Sequence, residues 1–340
     1  MQSIYNLDEE ELLEYCLNHN GKKYQAKELI SWLYDKKITS FDQITNLSKE
    51  MKKNLTQDFC LQTVEVSTVE RSKDVCKYLF KLPDHQYIEA VLMIHDYGLS
   101  LCLSSQVGCN MGCKFCESGR RKKVRNLTTG EMVEQILLAS KDIGKRISHV
   151  VVMGIGEPFD NYDNICKMIK IINHDKGLNI GARHITVSTC GLVPKIKEFA
   201  RFPYQVNLAV SLHAADDKLR EELMPIAKVY SLKELFDALK EYLKITNRRL
   251  SFEYILLDGV NDREQDAMNL VHLVKGMNAY INLIPYNETT HLQFKRSKTI
   301  QIARFYDILK KNGICVTIRR EFGGKISAAC GQLRSQKEGL

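Results

Sequence analysis

The spacing of apolar residues along the chain divides it into regions of different secondary structure. Up to about residue 60, apolar side chains recur at helical spacing, which predicts a helical module over residues 1–60. From about residue 62 to 105 apolar and polar positions alternate with period two, which is typical of strands joined by tight turns. We therefore expect a β extension over residues 61–98, between the helical module and the rest of the chain.

Beyond Leu99, short apolar strands alternate with amphipathic helices. The predicted strands are Leu99 to Ser104, His149 to Gly154, His184 to Cys190, Val206 to His213, Leu250 to Leu257, Tyr280 to Tyr286 and Cys315 to Arg320. The predicted helices begin at the capping box Thr128-Thr-Gly-Glu131 and then cover Asp163 to Asn173, Ser231 to Leu243, Asp262 to Lys275 and Ser297 to Lys311.

Buried strands separated by helices predict a parallel sheet with right-handed crossovers. Six such units are too few for a closed eight-stranded barrel, so the predicted α/β fold is an open (β/α)6 partial TIM-type barrel over residues 99–322. Its active site is expected at the carboxyl ends of the strands. Residues 323–340 then form a C-terminal segment.

Composition narrows the functional class. No run of 18 apolar residues exists and the N-terminus is acidic, so we expect a soluble, cytoplasmic protein without a membrane partner. The 49 Lys and Arg residues exceed the 41 Asp and Glu residues, which mildly favours a polyanionic partner. In a reducing compartment the 11 cysteines are expected to be ligands, catalysts or core residues.

Three cysteines lie close together in a single turn. Cys109, Cys113 and Cys116 have the spacing CxxxCxxC, and three thiolates can hold a soft metal centre that remains one ligand short. An iron–sulfur cube normally takes four cysteines, so this set suggests a cluster with one iron open to another ligand. A zinc knuckle with a distant fourth ligand is the alternative interpretation.

Small and polar residues follow the other predicted strands. The second strand ends in Met153-Gly-Ile-Gly-Glu-Pro158, the third in Ser188, the fourth in Ser211-Leu-His213 and the sixth in Pro285-Tyr-Asn287. A dinucleotide-binding GxGxxG is disfavoured because the third glycine is missing. Each residue alone has a strand-end cap as its alternative role, but together they predict a ligand pocket at the mouth of the barrel.

Several motifs together resemble one family. The segments SSQVGCNMGCKFC, RNLTTGE, GIGEP, ARHITVSTCGLVP, SLHA, LMPI, NLIPYN and ISAACGQL are similar to those of the RlmN/Cfr family of radical S-adenosylmethionine RNA methyltransferases, and closest to the RlmN type. The resemblance runs from about residue 24 to 335. Enzymes of the RlmN type methylate carbon 2 of adenosine in 23S rRNA and tRNA, whereas the Cfr type methylates carbon 8 of the same rRNA adenosine.

The resemblance implies roles for individual residues. It implies that Cys109, Cys113 and Cys116 hold a [4Fe-4S] cluster. It also implies that S-adenosylmethionine is contacted by Gly156, Glu157, Ser188, Ser211, Leu212, His213 and Asn287. Cys330 matches the cysteine that becomes S-methylated, Cys102 matches a second catalytic cysteine, and Glu89 matches a proposed general base.

The implied reaction proceeds in two stages and consumes two molecules of S-adenosylmethionine per methylation. Cys330 first takes a methyl group, and a radical formed on that group then joins it to the adenine ring. Loss of the ring proton to Glu89 or Cys102, followed by attack of Cys102 on the sulfur, releases the product and leaves a transient Cys102–Cys330 disulfide. The implied partners are 23S rRNA, tRNA and an electron donor such as flavodoxin or ferredoxin, and the protein is expected to be a monomer.

Two segments depart from the family pattern. Arg120-Arg-Lys-Lys-Val-Arg125 has five basic residues in six, where the family usually has glycines, and could hold RNA phosphates near the barrel mouth. The FGGK before ISAACGQL leans toward carbon 8 chemistry, whereas Val107 and STCGLVP lean toward carbon 2. The leading hypothesis is therefore a carbon 2 methyltransferase, with carbon 8 methylation and a non-catalytic zinc RNA-binding module as alternatives.

Overall fold

A ten-stranded sheet organises the chain in the computed structural model, which describes residues 1–289 and 291–319. Its strands lie side by side in chain order. They are β1 (Glu65–Arg71), β2 (Val75–Lys81), β3 (Tyr87–His95), β4 (Gly98–Leu103), β5 (His149–Val152), β6 (Ile185–Thr189), β7 (Asn207–Ser211), β8 (Leu250–Leu256), β9 (Ala279–Pro285) and β10 (Val316–Ile318). Strands β1 to β4 are antiparallel, and β4 to β10 are parallel. The predicted α/β fold with an open, partial TIM-type barrel is confirmed.

Ten α-helices accompany the sheet in the described residues. They are α1 (Glu9–Asn18), α2 (Lys23–Ile30), α3 (Lys49–Asp58), α4 (Thr129–Ile143), α5 (Tyr162–Asn173), α6 (Val193–Phe199), α7 (Asp217–Leu223), α8 (Leu232–Thr246), α9 (Glu264–Val274) and α10 (Thr299–Lys311). Two short strand pairs complete the fold, Gln2–Ser3 with Phe59–Cys60 and Gln106–Val107 with Arg125–Asn126. No helix among the described residues has the length and apolar character needed to cross a membrane.

Local capping explains where the longest helices begin and end. The Thr128 and Ser231 side chains accept hydrogen bonds from the backbone of Glu131 and Glu234, whose own side chains bond back to the cap residues, as their sequence pattern predicts. Gly144 caps the C-terminus of α4 and Asn247 caps that of α8, both with a positive φ angle. Helices α6 and α7 are not predicted from the sequence, because seven residues are too few to show helical periodicity. The proposed domain boundaries remain predictions.

The two faces of the sheet differ in polarity. Residues opposite each other on neighbouring strands share a face, and alternate residues along a strand point to opposite faces. One face carries apolar residues that form a single core with helix residues such as Ile136, Ile165 and Leu235. We call the other face the inner face. Residues that pair across neighbouring strands form rows on it, and three of these rows are rich in polar side chains. The first row is Cys102, Val151, Thr186 and Asn207, the second is Ser188, Ala209, Ser251 and Tyr280, and the third is Ser211, Glu253, Asn282 and Thr317. Polar chemistry is therefore concentrated on the side of the sheet that faces away from the helices.

A buried carboxylate fastens the N-terminal helices to the barrel. Glu134 on α4 is only 1% exposed, and it accepts hydrogen bonds from Ser3 Oγ at 2.6 Å, Thr63 N at 2.6 Å and Val64 N at 2.8 Å. Because these donors belong to the first residues of the chain and to the segment entering β1, one side chain joins three parts of the sequence. Such a group is costly to bury unless its hydrogen bonds are made.

Replacement of Glu134 tests this attachment. Glu134→Ala leaves four buried or partly buried donors without this acceptor, namely Ser3 Oγ, Thr63 N, Thr63 Oγ1 and Val64 N, so we expect the free energy of unfolding to fall by about 3 kcal/mol or more. Urea unfolding of the metal-free protein measures the change. The exposed Glu14 on α1 supplies the control, because Glu14→Ala should change stability by about 0.5 kcal/mol or less. Equal effects of the two substitutions would contradict a fastening role.

Candidate active site

The loop of three cysteines follows β4 and is closed at its base by backbone hydrogen bonds. Cys109 N donates to Arg121 O at 3.0 Å, and Val124 N donates to Val107 O at 2.8 Å. At Gly108, whose φ is +75°, an added Cβ would lie 2.3 Å from Lys122 O. Only glycine therefore allows the two arms of the loop to approach this closely.

The three thiols influence one another. Burial, together with the neighbouring Cys116 thiol, raises the pKa of Cys109 to about 12. Burial and the other two thiols likewise raise the pKa of Cys113. The cost of ionising adjacent buried thiols is relieved when a cation binds, because metal binding displaces the thiol protons. The loop is thus a site that favours a positively charged, thiol-binding centre.

The donor set fits an iron–sulfur cluster in its chemistry. Soft thiolates are the usual ligands of such clusters, and three of them leave one iron available. Among residues 1–289 and 291–319, no three His, Cys, Asp or Glu side chains converge closely enough to hold a single metal ion. In a cube, by contrast, each cysteine binds a different iron, so the thiols need to surround a volume rather than meet at a point.

The cysteine loop lies over the ends of several barrel strands. Met111, Cys113 and Phe115 pack against a buried group formed by Cys190, Leu223, Met224, Leu257 and Tyr286. These residues directly follow β6, β8 and β9 or belong to the region around the end of α7. Lys114 N also donates to Leu223 O at 2.9 Å, which fixes the middle of the loop to α7. The predicted position at the carboxyl ends of the strands is therefore where the loop lies.

Arg220 on α7 joins two of these strand ends. Its side chain is 1% exposed, and its guanidinium donates to Cys190 O at 2.7 Å and to Leu212 O at 3.3 Å. Burial lowers the pKa of Arg220, while the nearby Cys190 and Cys113 thiols favour its charged form. The guanidinium therefore holds the ends of β6 and β7 in place and brings positive charge close to the cysteine loop.

Glu157 lies after β5 with both carboxylate oxygens directed by the backbone. Its Oε1 accepts from Phe159 N at 3.0 Å and its Oε2 accepts from Cys190 N at 2.8 Å. Burial raises the pKa of Glu157, and these hydrogen bonds oppose that rise. At the preceding Gly156, with φ at +110°, a Cβ would lie 2.6 Å from Gln106 Cβ, so a side chain would displace the cysteine-loop arm. Because carboxylate oxygens have further lone pairs, Glu157 can still accept from a ligand.

Strands β6 and β7 bring further predicted residues to the same end of the barrel. Ser188 and Ser211 lie on the inner face, and Leu212 is fully buried with its N donating to Glu253 O at 3.0 Å. His213 has a positive φ of 58°. Its Nδ1 accepts from Ile255 N at 3.0 Å, and its ring lies 4.6 Å from that of Phe115.

Burial keeps the His213 ring neutral, and the hydrogen bond at Nδ1 determines its tautomer. Burial, and then the charge of Arg220, lower its pKa to about 3, so the ring is neutral near pH 7. A neutral imidazole that accepts at Nδ1 carries its proton at Nε2. His213 is therefore a neutral hydrogen-bond donor beside Phe115 of the cysteine loop.

Asn287, Glu89 and Cys102 occupy different parts of the structure. Asn287 is exposed and follows Tyr286, which packs beneath the cysteine loop. Glu89 on β3 and Cys102 on β4 are buried on the inner face, and Cys102 precedes Cys109 by seven residues. Cys330 lies outside the described residues.

The basic loop is more fully paired than its sequence indicates. Arg120 pairs with Glu117 at 3.0 Å, Lys123 with Asp160 at 2.6 Å, and Arg125 with both Asp84 at 2.7 Å and Glu131 at 2.8 Å. Three of its five basic side chains therefore stabilise the fold locally and are partly neutralised. These paired side chains are less available to RNA phosphates than the sequence suggests. The exposed Lys122 is the best placed for such a contact.

Lys77 and Arg220 are buried cations near the candidate site that the sequence does not single out. Lys77 is completely buried on β2, and its Nζ lies 3.8 Å from Glu89 Oε2. A lysine inside the apolar strand pattern VCKYLF was a usable signal, because lysine is almost never fully buried without a partner. Arg220 gave no comparable signal, since its burial depends on the unpredicted helix α7.

Family models match the N-terminal helical region and most of the barrel. Residues 2–61 match the ribosomal RNA large subunit methyltransferase N-terminal domain, and residues 103–271 match the radical SAM superfamily. A Streptococcus thermophilus protein named "Probable dual-specificity RNA methyltransferase RlmN" is 52% identical, with 98% of this chain and 88% of the relative aligned. A Spiroplasma citri protein of the same name is 48% identical, with 100% and 99% aligned. The structure of a radical SAM methyltransferase from Sphaerobacter thermophilus is 40% identical, with a TM-score of 0.94 over 99% of this chain and 100% of that one.

The protonation of His213 predicts a specific dependence of stability on pH. Its pKa rises from about 3 in the folded chain to about 6.5 on unfolding, so the unfolded state binds the extra proton. The stabilisation is complete above pH 6.5 and is lost as the pH falls toward 3. We expect this residue to contribute a loss of about 1.4 kcal/mol per pH unit in that range.

His213→Asn supplies the comparison. Asparagine tolerates the left-handed backbone and keeps an acceptor, but it does not titrate. Urea unfolding of the metal-free proteins at a series of pH values should therefore show a shallower acid decline for the variant, whatever constant offset the smaller side chain adds. Parallel declines in the two proteins would show that His213 takes up its proton as readily in the folded chain as in the unfolded one.

Proposed function

Because this chain belongs to the RlmN family of radical S-adenosylmethionine RNA methyltransferases, we propose that it methylates carbon 2 of an adenosine in 23S rRNA and in tRNA. The observation that carries this proposal is the placement of the three-thiol loop over the ends of β6, β8 and β9, in the same sheet whose inner face holds Glu89 on β3 and Cys102 on β4. The three candidate cluster ligands, the polar residues at the strand ends and the two buried candidate reactive groups thus belong to one sheet.

The target atom explains why such a site is needed. Carbon 2 of adenine is electron-poor, so it does not attack the methyl group of a sulfonium ion directly. Cys109, Cys113 and Cys116 would hold a [4Fe-4S] cluster, which when bound supplies the electron that converts S-adenosylmethionine into a carbon-centred radical. A zinc centre would supply no such electron, because zinc has no redox chemistry.

The residues at the strand ends are suited to hold S-adenosylmethionine. In the proposed complex Glu157 accepts from the ammonium group, and Gly156 lets the backbone approach the ligand. Ser188, Ser211 and Asn287 supply polar contacts, Leu212 supplies an apolar wall, and His213 donates through Nε2. These assignments combine the positions of the side chains with the family resemblance.

The remaining steps are assigned to Cys330 as the methyl carrier and to Glu89 and Cys102 on the inner face. In the proposed sequence the Cys330 thiolate accepts a methyl group from a first S-adenosylmethionine, and a second one is consumed in activating that methyl group. Once the carbon is joined to RNA, the adduct radical loses one electron, for which the proposed cluster would be the acceptor, and Glu89 takes the ring proton. Cys102 then attacks the Cys330 sulfur, the bond from that sulfur to the new carbon breaks, and a solvent proton completes the methyl group. The resulting disulfide requires an external reductant, and flavodoxin or ferredoxin is the proposed electron donor for the cluster.

The proposed enzyme acts as a monomer in the cytoplasm. RNA contacts are assigned to Lys122 and to the basic residues of the N-terminal helices, and the target base leaves its stack to reach the barrel. Carbon 8 methylation of the same rRNA adenosine remains the second candidate, because FGGK departs from the carbon 2 pattern.

Mass spectrometry of RNA separates the candidates. Expression of the chain in a host that lacks this methylase should restore 2-methyladenosine in both rRNA and tRNA. Cys330→Ala should abolish the modification, because the methyl carrier is gone. Cys315 is exposed and has no proposed role, so the control variant Cys315→Ala should leave the modification intact. Formation of 8-methyladenosine alone would refute the choice of carbon, and turnover by Cys330→Ala would refute the carrier role.

A trapped protein–RNA adduct tests the role of Cys102. Without the attacking thiol, the joined RNA cannot leave Cys330, so Cys102→Ala should accumulate a protein–RNA adduct on a denaturing gel. The adduct should disappear in the double variant that also carries Cys330→Ala. Normal release of methylated RNA by Cys102→Ala would instead assign Cys102 to the buried core.

A further inference from the structure

Lys77 occupies a place where a charge is costly. Its side chain is 0% exposed and that of Glu89 is 5% exposed, and the two charged groups lie 3.8 Å apart. Buried ion pairs seldom add net stability, because removing both charges from water costs about as much as their attraction returns. A pair of apolar side chains of similar size would often serve the fold equally well. The presence of the pair therefore calls for a reason other than stability.

The register of the sheet connects Lys77 to both candidate reactive groups. Lys77 pairs with Val91 on β3, and Val91 pairs with Cys102 on β4, so the three side chains form one row on the inner face. Glu89 is two residues from Val91 and points to the same side. Lys77 is thus a buried cation whose position on the strand places it on the same face as the proposed general base and the second cysteine.

The surroundings of Cys102 make a nearby cation useful. Cys102 forms a small buried group with Val75 and Met93, and Val91, Val151 and Met153 pack against it. An apolar environment disfavours a thiolate, but the thiolate is the form that attacks sulfur. A charge also acts more strongly across a dry interior than through water.

We propose that Lys77 is a positioning residue for the second half of the reaction, which holds Glu89 as a carboxylate and favours the thiolate of Cys102. This inference rests on the proposed function. Both groups must be anionic at that stage, because Glu89 receives the ring proton and Cys102 supplies an electron pair. A single buried ammonium meets the two requirements without itself reacting.

Lys77 neither gains nor loses a proton when the RNA is released. The Cys102 thiolate forms a bond to the Cys330 sulfur as the bond from that sulfur to the RNA-bound carbon breaks. The electron pair of the broken bond stays on carbon, and one proton from solvent completes the methyl group. The two cysteines are oxidised to a disulfide, which an external dithiol reductant returns to thiols.

Three substitutions separate charge from structure. Lys77→Met removes the charge at similar length, Lys77→Arg keeps it, and Lys81→Met is the matched control at the end of the same strand. With reconstituted full-length protein and RNA, Lys77→Met should resolve the protein–RNA adduct about tenfold more slowly and accumulate it as Cys102→Ala does. Lys77→Arg should largely restore release, and Lys81→Met should match the unaltered protein.

Alkylation of Cys102 provides a readout that does not depend on the reaction. Iodoacetamide labelling of the metal-free full-length protein, resolved by peptide mass spectrometry, should slow about tenfold at Cys102 in Lys77→Met. Cys60, in the N-terminal helical region, serves as the internal reference. If Lys77→Met does not fold by circular dichroism, Lys77→Gln is scored in the same way.

The outcomes distinguish this inference from the proposed function. Unchanged adduct release together with unchanged Cys102 labelling would overturn the role of Lys77. Slower labelling that Lys77→Arg restores would support it. If Cys102→Ala forms no adduct, the proposed release chemistry fails, and the labelling result still decides whether Lys77 controls the charge of Cys102.

Discussion

The alternation of side chains across the pleated sheet is the constraint on which the rest of the structure depends. Leu101 and Leu103 point into the helix-packed core, so Cys102 between them must face the other way. The same rule places Ser188 and Ser211 on the inner face. A one-residue shift in register would exchange the core with the reactive face, because the side-chain period is two. The apolar core therefore determines the orientation of the candidate chemical groups.

Helix α7 connects this sheet to the cysteine loop. Leu223 O receives a hydrogen bond from Lys114, and Arg220 binds carbonyl oxygens after β6 and β7. The loop and the strand-end residues are thus held by one short helix, whose Arg220 and Leu223 side chains are buried. The Phe115 ring also contacts the ring of His213, so the cysteine loop touches the end of β7 directly.

Much of the framework is predictable from the sequence, because its signals are local. The apolar run around Val150 and the capping boxes at Thr128 and Ser231 specify strands and helices within a few residues. Burial of Lys77 and Arg220 is different, because each depends on partners from other elements. The basic loop illustrates the same limit, since the acids that pair with Arg125 and Lys123 include Asp84 and Asp160 from distant parts of the chain.

The agreement between strand order and chain order has a consequence for how the protein is made. Each strand from β2 onward adds beside one that has already left the ribosome, so the sheet can grow in the direction of synthesis. The cysteine loop leaves early, after β4, yet its packing partners extend to Leu257 and Tyr286. Until those residues have been synthesised, its thiols lack the cover that shields them in the finished fold. Oxidation of these thiols is therefore a greater hazard before Tyr286 has been synthesised than in the finished fold.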